Sequence, residues 1–91
     1  MSVEQFTKGL RFAAAADADT RLCYITHINW YGEDIADGDV LVLTDTAGTT
    51  VFSWVSNADD TGCNVDICAH ARGLIAETLT NDHGTVDVYL K

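Results

Sequence analysis

No proline occurs among the 91 residues of this chain. Chain reversals therefore fall to seven glycines and to Asp, Asn and Ser clusters, while abundant Val, Ile and Thr favour strands over helices. Long apolar runs are absent too: no stretch approaches the ~20 apolar residues needed to span a bilayer. The amino-terminal MSVEQFTKGLRFAAAADADT has an alanine run but no long apolar segment behind a basic start, so no secretory leader is read. Positive charge is scarce. Lys8, Arg11, Arg21, Arg72 and Lys91 stand against fourteen acids, giving a net charge of −9. Phosphate binding needs a basic stripe that these five do not form, which sets nucleic acid aside as a partner.

Cysteine is present in an odd number, Cys23, Cys63 and Cys68, without a Cys-x-x-Cys spacing. A disulfide framework and a zinc knuckle are both disfavoured, and the three thiols are read as reduced, small and buried. Cys68 and His70 would point the same way on a strand, with Cys63 in a loop before it and Cys23 and His27 as more distant additions. That arrangement is a poor zinc site, and nothing beside it suggests an activated nucleophile. The acidic turns Asp17-Ala18-Asp19, Glu33-Asp34, Asp37-Gly38-Asp39 and Asp59-Asp60 lack the EF-hand pattern, so solvated turns are preferred over calcium ligands. The residues call for no cofactor and no metal, and no enzymatic activity is expected.

At 47% hydrophobic and 21% charged residues the composition is that of a folding globular chain, and the length allows one domain, 1–91, in which residues 1–9 are compatible with an arm, a short helical turn or an edge strand, the arm being taken. Leu10 to Ala16 leans towards strand. From Arg21 to Trp30, Leu22, Tyr24, Ile28 and Trp30 fall on one face and Cys23, Ile25, His27 and Asn29 on the other. Tyr31 to Asp39 is a loop, plugged onto the core by Ile35. Val40 to Thr44 and Val51 to Val55 form a hairpin closed by Asp45 to Thr49, with Gly48 at positive φ. Val40 and Val42 oppose Leu41 and Leu43, so the first arm is apolar on both faces, as in a central strand, and one face is open to another subunit. Phe52 and Trp54 share a face and, with Trp30, are expected to dominate the core, each burial being worth roughly 2–3 kcal/mol.

Ser56 to Cys63 reads as an exposed connection and Asn64 to Ala71 as a strand with Val65, Ile67, Ala69 and Ala71 inward. Leu74 to Thr80 is a strand or a short helix. A turn at Asn81 to Gly84 leads to a last strand with Val86, Val88 and Leu90 inward. Six to seven short strands with regular turn signals give an all-β, antiparallel β-sandwich or small β-barrel, the sandwich being preferred. Trp30 and Tyr31 beside an acidic loop could make a platform for a sugar ring, against which core packing of Trp30 is the favoured reading.

The segments Ile25 to Trp30 (ITHINW), Gly38 to Trp54 (GDVLVLTDTAGTTVFSW) and Gly84 to Lys91 (GTVDVYLK) together resemble small β-sandwich virion proteins encoded among the structural genes of tailed bacteriophages. The resemblance covers about a third of the chain. It implies a capsid decoration or cement subunit on the capsid exterior, assembled in the host cytoplasm, that binds and stabilises a major capsid protein lattice, often as a homotrimer. Membrane and nucleic acid are not expected partners. Val3 and Phe6 of the arm, Tyr31, Tyr89, and Val40 and Val42 are the residues assigned to contacts with neighbours. Two other classes stay open: a carbohydrate- or receptor-binding module, and a head-tail completion or tail subunit.

Overall fold

The computed structural model describes the backbone of residues 4–6, 9–14 and 18–91, and the side chains of residues 9–14, 18 and 24–91. Seven strands follow one another: β1 (Glu4–Phe6), β2 (Gly9–Phe12), β3 (Ala18–Tyr31), β4 (Val40–Thr44), β5 (Thr50–Val55), β6 (Cys63–Leu79) and β7 (Thr85–Leu90), with a short 3-10 turn at Thr80–Asp82. All pairings are antiparallel, in one sheet of order β1-β2-β7-β3-β6-β4-β5. The all-β antiparallel class is thus observed. At about 4.8 Å per strand a flat seven-stranded sheet would be a wide slab. The chain instead measures 33 × 21 × 21 Å, and buried residues from β2, β3, β4, β6 and β7 meet in one cluster. The sheet is rolled around a single core, in the manner of an open barrel. Its layering comes from the bending of β3 and β6, 14 and 17 residues long, rather than from two separate sheets.

Irregularities in those two strands decide which side chains reach the core. Against β7, Ile25 pairs with Leu90 and His27 with Tyr89, leaving Thr26 as an extra residue. This bulge breaks the period of two. Ile25 and Ile28 are both fully buried, while Tyr24 turns to the outer face, where it meets Cys68 and His70. The simple alternation placed Ile25 and Tyr24 on the wrong faces; the bulge is the reason. Ile28, Trp30, His27 and Asn29 lie as the alternation requires, and the side chains of Leu22 and Cys23 lie outside the described residues.

A second shift occurs between Asp19 and Leu22, opposite Gly73, whose φ of +76° suits a residue without Cβ. Before it Val65, Ile67, Ala69 and Ala71 face inward; after it the phase changes and Leu74 and Ala76 enter the core. Arg72-Gly73 is therefore a kink inside one strand, and Leu74 onward is strand. Helix was the other reading there, but the apolar positions pair with β4 as far as Leu79.

The β4–β5 hairpin closes as the sequence suggests. Gly48 has φ +87°, and Asp45 Oδ1 accepts the backbone N–H groups of Ala47 and Thr49 at 2.9 Å each. Ile35 is buried at 1% exposure, plugging the β3–β4 loop onto the core, and Val86 and Val88 are fully buried. Edge strand β1 holds residues 4–6 of the segment read as an arm; the rest of residues 1–8 lies outside the described residues.

Candidate functional site

The charged and polar groups of the sheet are engaged mostly with one another. On the outer face of β2, β7 and β3, Asp87 is 5% exposed. Arg11 grips it through both oxygens, Nε to Oδ1 at 2.8 Å and Nη2 to Oδ2 at 3.1 Å, and the Tyr31 hydroxyl donates to Oδ2 at 3.1 Å. A buried carboxylate is tolerable only when so satisfied. Loss of solvent around Tyr31, then its bond to Asp87, raises the phenol above its usual pKa.

Further along the same face, His27 Nδ1 lies 2.6 Å from Asp66 Oδ1, its Nε2 contacts Asn64 Oδ1, and its ring meets Tyr89 edge-on at 5.5 Å. The Tyr24 hydroxyl sits 2.9 Å from Cys68 Sγ, a contact that raises the phenol pKa; His70 packs against the ring at 4.4 Å and Lys91 Nζ stands 5.3 Å from its centre. The side chains of this face interlock. Among the described residues no three His, Cys, Asp or Glu side chains are grouped to hold a metal ion.

The acidic turns serve the backbone. Asp34 Oδ1 accepts from Gly84 N at 2.8 Å and Asp59 Oδ1 from Asp37 N at 3.0 Å. Asp39, 5% exposed, accepts from Ala36 N at 2.9 Å through Oδ2, which also lies 2.6 Å from His83 Nδ1. Those two bonds, the Ala36 N–H first, hold its carboxyl below the usual carboxylate range. The His83 carbonyl in turn accepts the Trp30 indole N–H at 3.1 Å. Asp19, assigned to an acidic turn from the sequence, lies instead within β3, and Asp17 lies outside the described residues.

Trp30 is 1% exposed, so it presents no ring to a sugar. A shallow, open depression of about 290 Å³ borders it, lined by Asn29, Asp60, Thr61, Gly62 and Asn64 among others, too flat to enclose a ligand. Cys63 points inward at 8% exposure from the first position of β6, and burial lifts its thiol to about 11. Cys68 is exposed, contrary to the expectation that the thiols are buried, because it belongs to the outward phase of β6 with Asn64, Asp66 and His70.

The remaining distinctive feature is the far end of the sheet. Cross-strand pairing sets Trp54 beside Leu41 and Phe52 beside Leu43, with the two aromatic rings stacked 6.4 Å apart and 8° from parallel. Among the described residues no further strand covers them. Trp54 remains 38% exposed and Phe52 half-buried, so these two do not dominate the core as their size suggested; Trp30 and Phe12 are its fully buried aromatics. On the outer face of the hairpin Val55 is 58% exposed, beside half-buried Val40 and Val42.

The residues assigned to contacts do not form one patch. Tyr31 and Tyr89 lie on β3 and β7, whereas Val40 and Val42 lie on β4, on the other side of β6. Val3 and the Phe6 side chain lie outside the described residues. Sequence reading missed Trp54 and Val55 as surface groups because alternation gives a residue's face, and strand order decides whether that face is covered. No protein-family model, curated protein or solved structure matches the chain.

Proposed function

We propose that the chain is a non-enzymatic structural protein of a virion, a decoration subunit that binds and stabilises a major capsid protein lattice from the capsid exterior. One observation carries the assembly part of this reading: β5 is an edge strand without a charged residue, and it leaves Trp54 and Val55 exposed in a chain of net charge −9. An uncovered apolar edge on a strongly acidic small protein has its natural use in contact with another chain. The outer face of β2, β7, β3 and β6 supports the same reading, since its His, Tyr, Asp and Cys groups bond to each other. The resemblance of the three segments to phage virion proteins supplies the kind of assembly.

A carbohydrate-binding module is less well supported: of the Trp30–Tyr31 platform the indole is enclosed, and Tyr31, although 40% exposed, has its hydroxyl tied to Asp87. A head-tail completion or tail subunit would use the same edge in a ring. The test is the chain's copy number in purified particles, by quantitative mass spectrometry. Stoichiometry matching the capsid lattice is expected; a handful of copies would indicate a connector or tail position, and absence from particles would overturn the virion reading.

A further inference from the structure

Among the described residues the sheet has two edges, and they are built differently. β1 is three residues long and includes Glu4; β5 has six, Thr50 to Val55, with neither charge nor proline. Charges, prolines, short length and β-bulges are the usual devices that stop an edge from pairing; β5 has neither charge nor proline, and its one irregularity, the extra residue Val51 against β4, lies before Phe52 and leaves Phe52 to Val55 in regular register. Phe52 and Trp54 stand on one face of β5, symmetric about Ser53, with near-parallel rings.

We propose that β5 pairs antiparallel with β5 of a second copy of this chain, about a two-fold axis at Ser53, so that one sheet runs through both chains. The proposal rests on the reading of the chain as an assembly subunit and names the partner of that edge. Opposed residues in an antiparallel ladder share a face, which requires the axis to pass through a residue rather than between two. With the axis at Ser53, Phe52 of each chain faces Trp54 of the other, and four aromatic rings close over the open end of both cores. An axis at Phe52 would set Trp54 against Thr50, and one at Trp54 would set Phe52 against Ser56. Only the Ser53 register matches both aromatics.

Charge does not block this pairing at the edge itself. Each chain carries −9, and β5 is a stretch free of that charge, with Asp45 and Asp59 lying beyond its ends. Two acidic chains can approach along it. A basic partner would gain its attraction elsewhere on the surface. A closed trimer joined by sheet edges would need unlike edges to meet, β5 against β1, and among the described residues β1 offers three. The two-fold pair is therefore favoured over the trimer that the resemblance implies.

The test is sedimentation velocity of the purified full-length chain across concentrations up to about 100 µM, at about 20 and 500 mM NaCl. A concentration-dependent doubling of mass is expected, tightening several-fold at high salt because screening relieves repulsion between like-charged chains. Ser53→Lys and Val55→Lys, both on the exposed outer face, should weaken pairing about tenfold or more while leaving the circular dichroism spectrum unchanged. A monomer throughout, a trimer, association that loosens with salt, or association indifferent to both lysines would each overturn the proposal. Its failure is separable from that of the functional reading. A chain absent from particles that still dimerises overturns only the latter, and a monomer at lattice stoichiometry overturns only the former.

Discussion

The chain's two tryptophans occupy opposite circumstances in one sheet. Trp30 is 1% exposed, its indole N–H bonds to the His83 carbonyl, and His83 is held by Asp39. Trp54 is 38% exposed, stacked on Phe52 at a sheet edge. Both sit on strands and both face the concave side. What separates them is strand order: β3 lies between β7 and β6, while β5 has a neighbour on one side only. One end of the roll is closed by loops and polar clasps, and the other, among the described residues, is uncovered, which is the end proposed for assembly. Stability and association are thereby assigned to different residues, and substitutions should affect one without the other.

The largest contrast is between the tryptophans themselves. Trp30→Ala empties a fully packed site and orphans the His83 carbonyl, so a loss of about 3–5 kcal/mol is expected in urea unfolding. Trp54→Ala, which removes a partly covered ring and its stacking on Phe52, should cost about 1–2 kcal/mol in the isolated chain, well below Trp30→Ala, its larger effect appearing in sedimentation. Equal losses would mean that the β5 end is as closed as the β3 end. Gly62→Ala is next in size. A Cβ there would lie 1.9 Å from the Trp30 carbonyl oxygen, a backbone atom that cannot move aside cheaply. Overpacking of this kind should cost about 3 kcal/mol by the same unfolding measurement, whereas Gly48→Ala at the open hairpin tip meets no atom within 4 Å and tests backbone strain alone.

Much of this architecture was legible in the sequence. Alternation in Thr85 to Lys91 and Asn64 to Ala71, the Gly48 turn and the Ile35 plug all follow from local chemistry, and each is where that chemistry puts it. Three things were not legible. The bulge at Thr26 reverses Ile25 and Tyr24, yet no residue there marks it, since it is set by pairing with two different neighbours. Gly73 does mark a kink, but a glycine after a charged residue reads equally well as a strand end. The assignment of β5 to an edge depends on strand order, which no local pattern carries. Asp39, read as part of a solvated turn, and Asp87, read as outward, are both buried; a buried carboxylate is recognised by its distant partners, His83 and Arg11, rather than by its neighbours in sequence.

The clasp beneath Trp30 should give its end of the molecule a response to acid that the β5 end lacks. The Asp39 carboxyl is held below its ordinary value by the Ala36 N–H and then by His83, so the unfolded chain binds that proton more readily than the folded one. Its contribution is fully present above the unfolded pKa of about 4 and is lost as pH falls through the lower folded value. Asp39→Asn should therefore flatten the fall in stability below about pH 4, read as unfolding midpoints at a series of pH values, while Ser53→Lys leaves that slope in place. An unchanged slope in Asp39→Asn would remove the acid-sensitive part of the difference between the two ends.

The smallest expected effect concerns two thiols on one strand. Cys63, buried beside Trp30, has its thiol pushed up to about 11, whereas Cys68 stands on the outer face. Alkylation requires both thiolate and access, so iodoacetamide at about pH 8 should modify Cys68 in the folded chain and reach Cys63 only when the Trp30 end opens. Peptide mapping by mass spectrometry separates the two sites. Gly62→Ala should speed modification of Cys63 relative to Cys68, because it forces the residue preceding Cys63 away from Trp30, the strand partner of Cys63; Trp54→Ala should leave the ratio where it was. Equal rates in the unmutated chain would mean that the Trp30 end opens as readily as the outer face, and the division between a closed end and an assembling end would fail at its most local point.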